Sequence, residues 1–286
     1  MRVAIVGASG FIGRHLSAAL RNRGDDVVSL SLRDPQAAAA DCEGADAVVN
    51  LAGENVAQRW TPAAKEKIRE SRVDAPRALI AGFAGLARKP QAYVSASAIG
   101  YYGTSEDATF TEASPPGSDF LAGVCVDWEA TADTAAEYGM RVAKIRTGLV
   151  LGTDGGALPK LLPAFRLGAG GVVASGRQWY SWIHIDDVVG IYLHALDGSS
   201  GALDATAPEP VRNGEFTVEL SKALHRPAFF PVPAFAIGVL LGEGAVVVTE
   251  GQRVLPERTL ATGYSFRFSD LASAFAALFP PAPAAR

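Results

Sequence analysis

Glycines at positions 7, 10 and 13 stand in the stretch Gly7-Ala8-Ser9-Gly10-Phe11-Ile12-Gly13, directly after the apolar run Val3 to Val6. Such a triplet can hold a pyrophosphate. One glycine takes a strained turn, another lets backbone N–H groups approach the phosphate oxygens, and another lets the following helix pack closely on the strand. The phosphate then lies at the positive end of that helix. The spacing is GxxGxxG rather than GxGxxG, and its weight comes from context: a buried-type strand precedes it and the amphipathic FIGRHLSAALRNRG follows.

A second group of residues would tell one dinucleotide from another. Helix 1 ends at Gly24, and Val27 to Leu32 reads as the next strand, whose end should carry an acid for a ribose 2′-hydroxyl. Arg33 stands there instead. Its guanidinium can fork onto a 2′-phosphate, which favours NADP over NAD. Asp34 follows and is the ribose acid if the strand ends one residue later; a solvated Arg33 is the plainer alternative.

Further chemistry-bearing side chains gather where a sheet would end. The run Ala92 to Ser97 reads as a strand leading into Ala98-Ile99-Gly100-Tyr101-Tyr102-Gly103, so hydroxyls fall at the carboxyl edge where doubly wound folds bind ligands. Arg72 and Arg77 lie within a helical pattern from Thr61 to Ala87; Arg72 either faces solvent or reaches cofactor or substrate. The cluster Trp179 to Asp187 puts Tyr180, Trp182 and His184 on one face if extended, with Asp186-Asp187 before an apolar helix, Val188 to Leu196. Helix capping and core hydrogen bonding are the favoured roles for His184 and these acids, with catalysis as the alternative.

The elements that must position these residues alternate. After the first two strands come Ala47 to Leu51, closed by the small Ala52-Gly53, then the helix at 61–87, the strand at 92–97, a helix from Phe120 to Tyr138 ended by Gly139, and a strand from Arg141 to Ile145. Strand and helix in regular alternation up to about 150 predict an α/β fold, a Rossmann-type doubly wound parallel sheet. The predicted organisation is an NADP-binding domain over 1–154, with 155–286 mainly a smaller C-terminal substrate domain interleaved with it. Beyond 155 the Gly-rich loops and the Trp179 to His184 cluster carry no independent core pattern, so this region should wall the substrate pocket. The Pro/Ala tail at 280–285 reads as frayed.

Bulk properties narrow the partners. A chain of 286 residues, 49% hydrophobic, can bury a large core. Net charge is −4 with no basic block, which argues against nucleic acid, and the apolar runs are too short or too interrupted to span a bilayer. The first strand starts almost at Met1, leaving no room for a targeting peptide, so a cytoplasmic location is expected. Cys42 and Cys125 are the two cysteines, without CxxC or a nearby His pair, so neither a disulfide framework nor a metal site is expected. The expected partner is a small-molecule substrate; oligomeric state is open.

Together GASGFIG at 7–13, DAVVNLAG at 46–53, VSAS at 94–97, RTGLVLG at 146–152 and WIHIDDVV at 182–189 resemble the extended short-chain dehydrogenase/reductase superfamily. SASAIGYYG, DFLAGVCVDWE, SGRQWYSWIHIDD, PVPAFAIGVLLGE and GQRVLPERTLATGYSF resemble one atypical branch, an NAD-dependent epimerase/dehydratase-like family sometimes labelled as cell-division inhibitors. The likeness covers almost the whole chain. It implies cofactor contacts from the Gly7 to Gly13 loop, Ser9, Phe11 and Ile12 included, with Arg33 at the 2′-phosphate. It also implies Leu51, Ala52 and Gly53 along the adenosine and ribose side, Ser95 and Ala96 near the nicotinamide ribose, and Thr147, Gly148, Leu149 and Val150 beside the nicotinamide. Ser97 falls at the superfamily's catalytic Ser or Thr.

One departure bears on activity. The superfamily uses a Tyr with a Lys four residues later, because a phenol of pKa about 10 needs a cation to exchange protons near neutral pH. No Tyr here has Lys at that spacing, and the helix that should carry the pair offers Phe120, Val124 and Cys125. By elimination, catalysis falls to Ser97 with Tyr101 or Tyr102, whose alternative role is packing over the cofactor. Two functions follow: an NADP-dependent oxidoreductase or nucleotide-sugar-type epimerase acting on a small carbonyl or alcohol, or a non-catalytic NADP-binding sensor.

Overall fold

In the structure, a computed structural model that describes residues 1–280, the apolar runs become parallel strands because both of their faces are covered. β1 (Arg2–Val6) passes through the glycine turn into α1 (Phe11–Asn22), followed by β2 (Asp26–Leu30), α2 (Pro35–Ala40), β3 (Ala47–Asn50), α3 (Pro62–Glu70), α4 (Asp74–Gly82) and β4 (Ala92–Ala98). Next come β5 (Thr109–Phe110), α5 (Phe120–Asp133), β6 (Arg141–Thr147), β7 (Leu149–Leu151), α6 (Leu158–Arg166), β8 (Trp179–Tyr180), β9 (Trp182–His184), α7 (Ile185–Leu196) and β10 (Gly201–Ala205). The last described elements are β11 (Val211–Arg212), α8 (Asn213–Leu224), α9 (Ala234–Leu241), α10 (Val246–Thr249), β12 (Arg253–Val254), α11 (Glu257–Ala261) and α12 (Leu271–Leu278).

Six parallel strands form the central sheet in the order β10-β6-β4-β3-β1-β2. The chain steps from β1 outward to β2 and then back across β1 to β3, so the topological switch point lies between β1 and β3, where ligands bind in such folds. Val3 and Ile5 face α1 and α7, packing with Leu16, Leu20, Val188, Ile191 and Tyr192. Ala4 and Val6 face the other way, onto Leu79 and Ile80 of α4 and Phe83. A third cluster around Trp182, Phe216 and Phe275 forms beyond the sheet.

The sheet takes its sixth strand, β10, and one of its covering helices, α7, from beyond residue 154. The helix expected over 61–87 is two helices, α3 and α4, followed by a short 3-10 turn at Phe83–Gly85. Pro76 explains the break: in a continuous helix it would remove a bond to the carbonyl four residues back, whereas in the first turn of α4 its missing N–H has no partner to lose. α5 likewise ends at Asp133 and tightens into a 3-10 turn, Thr134–Tyr138, before Gly139 at φ +81°. Apart from Pro280, the Pro/Ala tail lies outside the described residues. Among the described residues no helix is long and apolar enough to cross a membrane.

Two glycines make the helix–sheet packing testable. Gly123, on the exposed side of α5, has nothing within 4 Å of an added Cβ, while at Gly13 that atom would collide with the Gly7 carbonyl oxygen. Gly123→Ala should therefore stabilise the fold by about 0.5–1 kcal/mol. Gly13→Ala should destabilise it by about 1–3 kcal/mol. Denaturant melts of both variants check this pair of opposite signs.

Candidate functional site

The site begins where β1 ends. Gly7 turns the chain at φ +80°, and the Gly10 amide donates to the Gly7 carbonyl at 3.0 Å. Gly10 is the N-cap of α1 and offers no side chain, so the helix is uncapped and the amides of Phe11, Ile12 and Gly13 have no intrahelical acceptor. An added Cβ on Gly7 would stand 3.2 Å from the Leu51 carbonyl carbon, so the turn and the Leu51-Ala52 loop nearly touch. Small residues, free amides and a helix dipole therefore meet at the switch point, and this cradle fits a pyrophosphate.

The rim follows from the parallel register, which brings every strand's carboxyl end to one edge. Beyond β2, Arg33 is exposed and has no carboxylate within ion-pair distance among the described residues. Asp34 caps α2, its Oδ1 accepting from the Gln36 and Ala37 amides at 3.1 and 3.0 Å. Beyond β3, Leu51 and Ala52 are half-buried and Gly53 is exposed; the Ala52 amide donates to the Asn50 side chain at 3.1 Å. At the end of β4, Ala96 and Ala98 are half-buried, while Ser95 is buried and donates to the Ala96 carbonyl at 2.9 Å. Thr147, Gly148, Leu149 and Val150 are half-buried at the end of β6. Asp154 ties the loop after β7 to α1, pairing with Arg14 and His15 at 3.3 and 3.0 Å.

The serine and the tyrosine pair separate. β4 alternates, so Ser97 points to the α5 side, where its hydroxyl donates to Glu129 Oε1 at 2.7 Å. Arg146, opposite Ser97 in the register, forks onto the same carboxylate: Nε to Oε1 at 2.7 Å and Nη2 to Oε2 at 2.8 Å. Its Nη1 donates to the Tyr102 hydroxyl at 3.0 Å, and that hydroxyl donates to the buried Asp204 carboxylate at 2.8 Å. Burial works against the Arg146 charge, but the Glu129 hydrogen bonds and charge outweigh it and raise the guanidinium pKa. Burial, then the Asp204 charge, push the Tyr102 phenol far up, against the pull of Arg146. Burial and the neighbouring Glu112 raise the Asp204 carboxyl as well. Ser97 and Tyr102, expected from sequence to meet substrate, are thus both committed to buried partners. Tyr101 is half-buried, its ring lies 3.5 Å from Arg146 Cζ, and its hydroxyl makes no hydrogen bond among the described residues.

Sequence reasoning did not find Glu129, Arg146 and Asp204. Their signal was a charge inside an apolar stretch: WEATA on α5, KIRT on β6 and ALDA on β10. Such charges are rarely buried without a partner. On α5, Leu121 and Cys125 face Gly100, and burial pushes the Cys125 thiol up to about 12. His184 serves as N-cap of α7, its Nδ1 accepting from the Asp186 amide at 3.1 Å, and the helix begins at Ile185, so the two acids lie in its first turn. Asp187 is buried and accepts from the Arg267 and Phe268 amides and the Tyr264 hydroxyl. Among the described residues no group of three or more His, Cys, Asp or Glu is placed to hold a metal ion.

A parallel doubly wound sheet with an uncapped, glycine-flanked helix end at its switch point defines a Rossmann-type dinucleotide fold. Within that class, residues 3–204 match the NAD dependent epimerase/dehydratase family, and residues 232–278 match a domain of unknown function, DUF1731. The chain belongs to the NAD dependent epimerase/dehydratase family. It is similar to the Arabidopsis thaliana "Epimerase family protein SDR39U1 homolog, chloroplastic", at 42% identity over 97% of this chain and 86% of that protein. Its structure is similar to the crystal structure of human epimerase family protein SDR39U1 (isoform 2) with NADPH: TM-score 0.91, 35% identity, 99% of this chain and 100% of that one. A nucleoside-diphosphate sugar epimerase from Corynebacterium glutamicum matches at TM-score 0.79 and 35% identity, over 98% of this chain and 58% of that one.

The Glu129–Arg146 pair should behave as one unit. Glu129→Ala or Arg146→Met alone leaves a buried charge without its partner and should cost about 3–5 kcal/mol. Glu129→Ala combined with Arg146→Met should cost less than the sum of the single changes. Denaturant melts of the three variants measure the difference, and strict additivity would rule the coupling out.

Proposed function

We propose that this chain binds NADP(H) at the β1–β3 switch point and acts as an oxidoreductase or epimerase on a small carbonyl or alcohol. The observation that carries this reading is the uncapped α1 terminus behind the glycine turn, with the exposed, carboxylate-free Arg33 at the end of the neighbouring strand. Asp34 is occupied as a helix cap, which leaves Arg33 as the group able to meet a 2′-substituent, and a guanidinium favours phosphate there. The similarity to a human protein crystallised with NADPH supports the same cofactor.

Within this reading the amides of Phe11, Ile12 and Gly13 and the loop at Ser9 and Gly10 hold the pyrophosphate. Leu51 to Gly53 line the adenosine and ribose side. Ser95, Ala96 and Thr147 to Val150 line the nicotinamide side. The bound nicotinamide supplies hydride exchange with a carbonyl or alcohol carbon. Tyr101 exchanges the proton, since its hydroxyl has no partner among the described residues, while Ser97, through Glu129, and Tyr102 hold Arg146 beneath the Tyr101 ring. The region beyond 155 walls the substrate side.

A second reading, an NADP-binding sensor without turnover, draws on the absence of any Tyr with Lys four residues later in the sequence, α5 offering Phe120, Val124 and Cys125 instead. Fluorescence titration with NADPH and NADH tests the shared claim. The unmutated chain should prefer NADPH, and Arg33→Ala should erase about 1.5–3 kcal/mol of that preference, the worth of a hydrogen bond to a charged group. Equal dissociation constants before mutation contradict the Arg33 assignment. Tyr101→Phe should leave NADPH binding intact and abolish turnover; full activity in that variant removes Tyr101 from the proton path.

A further inference from the structure

Among the described residues, Arg72 is a cation without an anion. It follows α3, half-buried, with its guanidinium carbon 5.0 Å from the Trp128 ring. Its Nη1 donates to the Ile68 carbonyl at 3.3 Å and makes a long 3.5 Å contact with the Ser71 hydroxyl. Among the described residues Nε and Nη2 make no hydrogen bond, and no carboxylate comes within ion-pair distance. The titratable groups that bear on it are Glu54, which forms no ion pair with it, and Cys125, whose thiol is held neutral by burial. Burial without a partner lowers the Arg72 pKa from its ordinary value, the mark of a charge whose desolvation is not repaid within the chain.

Gly53 locates the guanidinium. A Cβ added there would stand 2.9 Å from Nη2, so the guanidinium lies against the loop that extends β3 past the carboxyl edge of the sheet. On its other side are Trp128 and the α5 position Cys125, which itself faces Gly100 beyond the end of β4. Arg72 thus stands between β3 and β4, next to the switch point, on the side away from Arg33. The Nε and Nη2 hydrogens of an arginine are parallel and spaced for two oxygens of one carboxylate or phosphate. The guanidinium carbon lies within cation–π range of Trp128, and among the described residues Nε and Nη2 keep hydrogens without an acceptor.

We propose that Arg72 is the anion receptor of the crevice, forking through Nε and Nη2 onto a carboxylate or phosphate of the bound substrate or of the dinucleotide. This deepens the function proposed above and rests on it. It also assigns a positive charge to the site from the turn after α3, on the side where α5 presents the uncharged Leu121 and Cys125. Glycine at 53 belongs to the same device, because a side chain there would displace the guanidinium.

The test uses Arg72→Gln, which removes the charge, and Arg72→Lys, which keeps the charge but loses the fork. NADPH affinity is read by fluorescence, and binding of sodium malonate to the NADPH complex by calorimetry. If the anion belongs to the cofactor, Arg72→Gln should weaken NADPH about ten- to a hundredfold, with Arg72→Lys falling between it and the unmutated chain. If it belongs to the substrate, both variants should bind NADPH as the unmutated chain does, and malonate binding should be present in the unmutated complex, weaker with Lys and lost with Gln. Unchanged NADPH affinity together with malonate binding that is absent or equal in all three proteins overturns the proposal, leaving Arg72 a packing residue on Trp128. Should Arg72→Gln fail to fold, a lysine variant that matches the unmutated chain in both measurements overturns it equally. An unmutated chain that fails to bind NADPH overturns the cofactor reading instead, which separates the two failures.

Discussion

How closely α1 can approach β1 governs the site. Gly13 lies over the Gly7 carbonyl with no room for a methyl group, and Gly7 turns at a positive φ that other residues avoid. Together they bring the helix down onto the strand and aim its uncapped end across the sheet edge. The helix end is polar and has no acceptor among the described residues, so its cost is offset by water or an anion. The rest of the crevice is built around that demand: Leu51 passes close to Gly7, Phe11 packs under the glycines after β7, and Asp154 pins the same loop to Arg14 and His15.

A second constraint lies deeper. Ser97, Glu129, Arg146, Tyr102 and Asp204 form one buried hydrogen-bonded chain from β4 through α5 and β6 to β10. Glu112 extends it, accepting from the Asp204 and Thr259 amides and from Arg258. A half-satisfied network in this setting would be worse than an apolar core, so its members hold one another in one arrangement. The ends of β4 and β6, the two strands bordering the nicotinamide side of the proposed site, are thereby fixed to the C-terminal region. The cation beneath Tyr101 is fixed with them.

Much of this was legible in the residues. The glycine triplet in its strand–helix setting gave the switch point, since local periodicity and Gly chemistry decide both, and the αβ alternation gave the sheet. A helix boundary failed where a local steric fact intervened: Pro76 split one predicted helix. The hydroxyls were harder. A serine at a strand end reads the same whether it faces ligand or core, and the alternation of β4 turned Ser97 toward Glu129. Tyr101 and Tyr102 are neighbours in sequence, yet one is sealed between Asp204 and Arg146 and the other keeps a free hydroxyl. Such differences depend on β10 and β6, far away in the chain. Arg72 was visible as a residue, but its lack of an anion was not, because absence of a partner is a three-dimensional property.

The central claim is that the free amides of the glycine-flanked helix end receive the cofactor's phosphates. Hydrogen–deuterium exchange of the peptide spanning Gly7 to Arg14, with and without saturating NADPH, addresses those amides directly. Slowed exchange in that peptide, with the α12 peptide unchanged, is the expected result. Unaltered exchange at Phe11, Ile12 and Gly13 in a sample that demonstrably binds NADPH would contradict it, because the phosphates would then be held elsewhere.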